Sequence, residues 1–452
     1  MRAFVQFIAA GVLSLLASAA MAATVTNAQV FAYVAANFPA VFSGAATAGQ
    51  FQQYDYRLYP ATGNVVAVDT VGQLYALGPV TNNLLTAIGP VSAFADQILA
   101  WAATQPRSGL VGGAVQGTAL NLAAAVTSFA GRNGFNGVDN GSALTATFNA
   151  PTDITTDGTN LFILDKSNAR IRKIVIATGA VSSLAGNGLA GHVDGAGALA
   201  SFYAPQGITT DGTHVFVSEE GLVRKVVIAT GVVTTLAGRC ATPCPTQPAA
   251  GALAVLEYIQ GITTDGTHVF VASRSTHSIY KIAIATGQTS VLAGGGGPGN
   301  QHQGNANGIG TAAAFNVPWG LTTDGGYVYV TESGQIRKIA IATGLVSTVV
   351  SALTTPFVLD DKGEASALGT HLGITTDGTY LYATQGTRVR KILIATGATV
   401  TLAGSGVDAS GVRGNIDGTG SAATFAQLSG IVTDGSSLFL TDGQLHLIRQ
   451  VK

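Results

Sequence analysis

Charge is scarce in this chain: 10% of its residues are Asp, Glu, Lys or Arg, and the formal net charge is −1. A coiled coil or a charged disordered tail needs far more of it. The balance also argues against nucleic acid as a partner, since a surface that tracks phosphate is strongly basic. Arg-Lys dipeptides do recur, about once per repeat, but acidic residues offset them in number and no basic stripe results. Cysteine is limited to Cys240 and Cys244. With no further cysteine and no histidine nearby, a metal site there lacks ligands. The pair is expected to form a disulfide that pins one loop in an oxidising compartment. Beyond Ala22 no apolar run reaches the length that spans a membrane. No Ser-His-Asp arrangement and no metal-spaced cluster is visible along the chain.

What is present begins with an export signal. Arg2 gives a minimal charged start, Ala3 to Ala20 an uncharged and mostly apolar stretch, and Ala20-Met21-Ala22 a small-residue cleavage site. This pattern predicts a signal peptide over residues 1–22 and a periplasmic or extracellular destination. Gln6 and Ser14 interrupt the apolar run, no basic stop-transfer flank follows, and no cysteine sits where a lipid would attach.

Residues 23–103 have a different texture and read as a small α+β domain. Ala28 to Phe38 carries apolar residues near helical spacing, and Tyr54 to Tyr59, Val65 to Val68 and Gln73 to Leu77 read as strands. The aromatic group Phe51, Tyr54, Tyr56, Tyr59 and Tyr75 is expected to be the core of that sheet, with a sugar-stacking face as the alternative. Residues 104–121 are rich in glycine and small residues and read as a linker.

From residue 122 to 452 one segment recurs. Its Asp-Gly landmark returns at Asp157, Asp211, Asp265, Asp324, Asp377 and Asp434. A fixed period of this length marks a solenoid, propeller or array. Within each copy, short β-branched runs are bounded by Asp-Gly-Thr and Ala-Thr-Gly turns, and four strands per period make a β-propeller blade. Val126 to Gly131 matches the fourth strand with nothing before it, and Ile448 to Val451 matches the third where the chain stops. The early strand is therefore expected to complete the last blade and close a six-bladed ring without an exposed edge.

One copy runs Gly191-His192-Val193-Asp194-Gly195, Phe202, Pro205-Gln206-Gly207-Ile208, Asp211-Gly212, Val215 to Glu219 and Val223-Arg224-Lys225-Val226. On these motifs, over about three quarters of the chain, the repeats resemble the NHL repeat family. The resemblance implies a propeller, usually a platform for protein, glycan or nucleic-acid contacts and occasionally a lyase or lactonase. It fixes no single function.

The near-identical Asp-Gly-Thr and Ala-Thr-Gly turns share one face and offer little to recognise. The opposite face carries the divergent loops 239–257, 295–314, 351–369 and 405–424, and recognition is expected there. At its centre the residue preceding each Gly-Ile pair or its equivalent should reach the channel mouth: Thr152, Gln206, Gln260, Trp319, Leu372 and Ser429. Trp319 is either a stacking platform or a packing plug. The second strand ends in a carboxylate at Asp165, Glu219, Glu332 and Asp442, and by Ser273 and Gln385 in the other two copies. Four such groups around a ring suggest calcium, while pairing within each blade, as Asp165 with Arg172, is the plainer expectation. Asn140, Asp194, Asn307 and Asp417 pose the same choice between calcium and Asx turns. His302 and His371 lie on the variable side and are candidates for catalysis; His214 and His268 occupy one repeat position beside a turn. The first expectation is an exported, non-catalytic protein that binds a protein or glycan without a cofactor. The alternative is a propeller enzyme, a lyase, lactonase or other hydrolase, with or without a divalent metal, acting at the channel mouth.

Overall fold

The structure is a computed structural model that describes strand backbone between residues 47 and 115, and residues 119–238, 256–295, 303–351, 373–405 and 414–452 in full. The chain divides into two compact units, Met1–Ser108 and Gly109–Lys452. In the first, strands Thr47–Phe51, Tyr54–Tyr59, Asn64–Asp69, Gln73–Leu77 and Thr86–Pro90 pair in chain order as an antiparallel meander. The expected signal peptide, the helix over 28–38 and the aromatic side chains of this unit lie outside the described residues.

The second unit is a six-bladed propeller. Four consecutive antiparallel strands make each of the first five blades; in the first these are Pro151–Thr156, Asn160–Asp165, Arg170–Val175 and Val181–Ala185. The last blade takes Leu428–Thr433, Leu438–Asp442 and Leu447–Val451 from the C-terminus and Ala125–Ala130 from the other end of the unit. Val451 stands opposite Val126 and Ile448 opposite Ala130, so the ring closes by strand exchange as expected. A short hairpin, Leu110–Val111 with Ala114–Val115, lies against the innermost strands of the first and last blades.

Period-2 strands with apolar residues on both faces suit this arrangement, because each sheet is covered by a blade on either side. At the seam of blades 6 and 1, Ile154, Leu161 and Ile163 pack with Val432, Phe439 and Ile448. Phe162 and Leu164 on the other face join Val215 and Val217 of blade 2. The repeated turn is a local solution: the Asp157 carboxylate accepts the N–H groups of Thr159 and Asn160, and Gly158 takes φ +80°. Its equivalents have φ between +84° and +91°, where a Cβ is disfavoured. The aspartates at these turns hold the turn with one oxygen, and Asp324 and Asp377 accept a tyrosine hydroxyl with the other.

A β-bulge precedes the arginine of the third strand in every blade that has one, at Arg172, Arg224, Arg337, Arg390 and Arg449. Bulges re-aim side chains, and here the arginines lie fully buried inside the blades. Arg172 bonds Asp165 at 3.1 Å, Arg224 bonds Glu219 at 2.8 Å, and Arg337 bonds Glu332 at 2.8 Å. Arg172, Arg224, Arg337 and Arg449 also cap the loop that enters their blade. Arg224, for example, donates to the carbonyls of Ser201 and Val193 and to the Asp194 carboxylate. Asn140, Asn307 and Asp417 serve their own blades in the same way. The guanidinium of these four arginines lies 5.1 to 5.5 Å from a phenylalanine ring, as Arg449 does from Phe425 and Arg224 from Phe202.

Candidate functional site

The loops between second and third strands and the starts of the innermost strands meet around the axis on the face opposite the repeated turns. There they enclose a cavity of about 620 Å³. Thr152, Gln206, Gln260, Trp319 and Ser429 all line it, one from each of five blades. Leu372, the sixth member of the set, lies outside the described residues. Ile154, Ile208, Ile262, Leu321 and Ile374 form its apolar lining. A concave, mostly apolar site with a few convergent polar groups is the usual form of a ligand pocket.

The structure places the four carboxylates Asp165, Glu219, Glu332 and Asp442 elsewhere, inside their blades. Each accepts a main-chain N–H from the incoming loop, from Asn149, Tyr203, Asn316 and Ala426 respectively. Three of them bond an arginine directly, as above, while Arg449 bonds Asp417 at 2.8 Å. His192 adds a 2.8 Å contact to Glu219. Burial pushes the carboxyls of Asp165, Glu332 and Asp442 up, and the N–H donors and arginines pull them back. Among the described residues no group of three or more His, Cys, Asp or Glu gathers to hold a metal. Cys240, Cys244, His302, His371 and most of the four divergent loops lie outside the described residues.

Four mouth residues were not singled out by sequence reasoning. The first is Asp153, the one carboxylate that lines the cavity among the described residues. At its repeat position the other blades have Gly207, Gly261, Gly320, Gly373 and Gly430. In four of those blades a hydroxyl on the adjacent second strand bonds the glycine N–H: Ser218, Thr331, Thr384 and Thr441, at 2.8 to 3.0 Å. Three of these hydroxyls also donate to a carbonyl of the next blade: Ser218 to Gln260, Thr384 to Ser429 and Thr441 to Thr152. Hydroxyl and glycine together stitch neighbouring blades at the axis. Blade 1 has lost both, with Leu164 where the hydroxyl stands and Asp153 where the glycine stands. Its seam is closed by the carboxylate, which accepts the N–H of Ile154 at 3.0 Å and that of Ile208 in blade 2 at 2.8 Å. Enclosure in the channel wall outweighs these two donors and pushes the Asp153 carboxyl up to about 7.

The other three come from the loops after the second strand. Lys166 donates to the Gln206 side chain at 2.9 Å, and its burial lowers the ammonium pKa. Arg274 places its guanidinium 4.7 Å from the centroid of the Trp319 ring. His446 accepts the N–H of Ala150 at 3.0 Å through Nδ1, and outside the cavity lining His277 does the same for Val317 at 3.2 Å, so both histidines lock adjacent blades. The signal was available: the residue after the second strand is Lys166, Glu220, Arg274, Ser333, Gly386 and Gly443 in turn, charged in the first three blades alone.

No family model matches the chain, and no curated protein matches it. Among solved structures it is similar to a protein of unknown function from Bacteroides thetaiotaomicron, at 14% identity and TM-score 0.52 over 90% of this chain and 98% of the other. It is also similar to an auxiliary nutrient binding protein from the same organism, at 12% identity and TM-score 0.52 over 91% and 98%. A third is an auxiliary nutrient binding protein from Bacteroides ovatus, at 14% identity and TM-score 0.50 over 91% and 98%. At such identities the likeness is one of fold, and the NHL resemblance rests on the repeat motifs themselves.

Proposed function

We propose that this chain is an exported, non-catalytic binding protein that recognises a protein or glycan through the divergent face of its propeller, with the channel mouth as the point of contact. The observation that carries this reading is the mouth itself. Five equivalent positions converge there, and they hold Thr152, Gln206, Gln260, Trp319 and Ser429 in place of one repeated residue. Rigid blades fix the backbone while the side chains differ, which is how scaffolds present recognition groups. Two structurally similar proteins are described as nutrient binding, which is compatible with a ligand at this place.

The test is binding of saccharide and peptide arrays to the full chain, repeated with Trp319→Ala and with Gln206→Ala/Gln260→Ala. Truncating a central aromatic anchor is expected to cost at least ~2 kcal/mol, roughly thirtyfold in affinity. Binding within a factor of two of the parent for both variants sinks the mouth as the contact point. An acid–base enzyme at the same place would draw on Asp153, whose oxygens are already engaged by two main-chain N–H groups. Turnover of a bound saccharide that disappears in Asp153→Asn while binding remains would decide for the enzyme.

A further inference from the structure

The mouth extends sideways into a shelf of about 290 Å³ over blades 2 to 4, lined among others by Glu220, Tyr258 and Arg274, with Gln206, Gln260 and Trp319 shared between the two spaces. Three properties of this shelf call for an external partner. The first is positive charge that makes no ion pair among the described residues. The arginines in the third strands of blades 1, 2, 4 and 6 each bond a carboxylate or an Asn oxygen inside their own blade. Arg274, by contrast, makes its described side-chain contact to an indole. Lys166, on the other side of Gln206, is partly buried against a neutral amide. Cations drawn out of water are ordinarily paired.

The second property is aromatic. Tyr258 is 61% exposed and sits at φ +46°, at the repeat position where the neighbouring blades have Ala150, Ala204 and Val317. The same left-handed turn occurs at Ala150 (φ +48°), Ala204 (φ +42°) and Val317 (φ +53°), so it belongs to the repeat, and what sets this copy apart is its exposed ring. Together with Trp319 it supplies ring faces at the rim of a polar pocket. The third is the pair of glutamines, whose amides offer donor and acceptor side by side, the complement of a row of hydroxyls.

Resting on the binding role proposed above, we infer that the ligand is a saccharide bearing carboxylate groups, its acid on Arg274 and Lys166, its rings on Trp319 and Tyr258, and its hydroxyls on Gln206, Gln260 and Glu220. A guanidinium presents its donors as a fork that matches a carboxylate. Glu220, exposed and beside Arg274 on the shelf, accepts hydroxyl protons in this arrangement. An acidic peptide would satisfy the cations but would leave the glutamine–aromatic surface without its complement.

The experiment is titration calorimetry of the full chain with oligomers of galacturonate, glucuronate and mannuronate, each beside its methyl ester, which keeps the ring and removes the charge. The expected result is binding of at least one acid form with its ester weaker by roughly tenfold to a hundredfold. Arg274→Gln should abolish that difference, Arg274→Lys should restore part of it, and Trp319→Ala should weaken acid and ester alike. Thermal melts of each variant report whether it is folded. Equal affinity for acid and ester overturns carboxylate recognition and leaves the mouth as a neutral-glycan site. Binding of acidic peptides but of no uronate overturns the saccharide and keeps the mouth. If no uronate oligomer binds the parent chain, the inference falls, and the array experiment above then judges the binding role separately.

Discussion

Replacing Asp153 by asparagine tests whether one carboxyl closes the seam between blades 1 and 2. The group receives two main-chain N–H bonds in the channel wall, and its carboxyl is pushed from the ordinary 3.8 up to about 7. A raised acid pKa means that the folded chain holds a proton that the unfolded chain has already released. Its contribution to stability is therefore complete below about pH 4 and is lost as pH rises towards 7. Three pH units at ~1.4 kcal/mol each set an upper limit of about 4 kcal/mol. Asp153 is half-buried and faces a water-accessible cavity, so screening reduces the expected loss to about 1–2 kcal/mol. Asparagine keeps the shape and one acceptor oxygen but does not titrate. The assay is urea unfolding of both proteins at pH 4.5, 5.5, 6.5 and 7.5. The parent should lose about 1–2 kcal/mol more than Asp153→Asn across that range, and the two should run parallel above pH 7.5. Parallel curves throughout would show that the carboxyl titrates normally and that its enclosure has been overestimated.

Two further outcomes follow from the blade interior and the ring closure. Glu219 and Arg224 are both fully buried at 2.8 Å, so Arg224→Met leaves the carboxylate with His192 and the Tyr203 N–H alone and should cost about 3 kcal/mol in chemical denaturation. Glu219→Gln/Arg224→Met should recover part of that loss; a single substitution worth under ~1 kcal/mol would contradict the pairing. A chain beginning at Arg132 lacks the strand Ala125–Ala130 and exposes the edge of Leu447–Val451. It should lose the cooperative melt that a chain beginning at Asn121 retains, and equal melting of the two by calorimetry would refute closure by strand exchange.

How much of this was legible from the residues alone divides along one line. Six copies of a motif state their shared geometry six times, so blade number, turn chemistry and the strand Ala125–Ala130 could be read directly. The pairing of Asp165 with Arg172 was legible for the same reason, since both recur seven residues apart or nearly so in other copies. What could not be read from shared features is the content of the mouth. Asp153, Lys166 and Arg274 look like noise when copies are averaged, and they lie on different blades with no common linear spacing. Their meaning appears when each is compared with the residue that the ring geometry requires at its place. Gly430 must be glycine because a Cβ there would come within 2.6 Å of Asp153, whereas the Asp153 position itself carries a side chain whose carboxylate bonds the next blade. Departures from the repeat at Asp153, Lys166, Glu220, Tyr258 and Arg274 all fall in blades 1 to 3 and their seams, on one side of the channel. A propeller whose repeats served stability alone would scatter such departures around the ring. Together with Trp319 of blade 4 they line one arc of one face, where the binding role proposed above has its contacts.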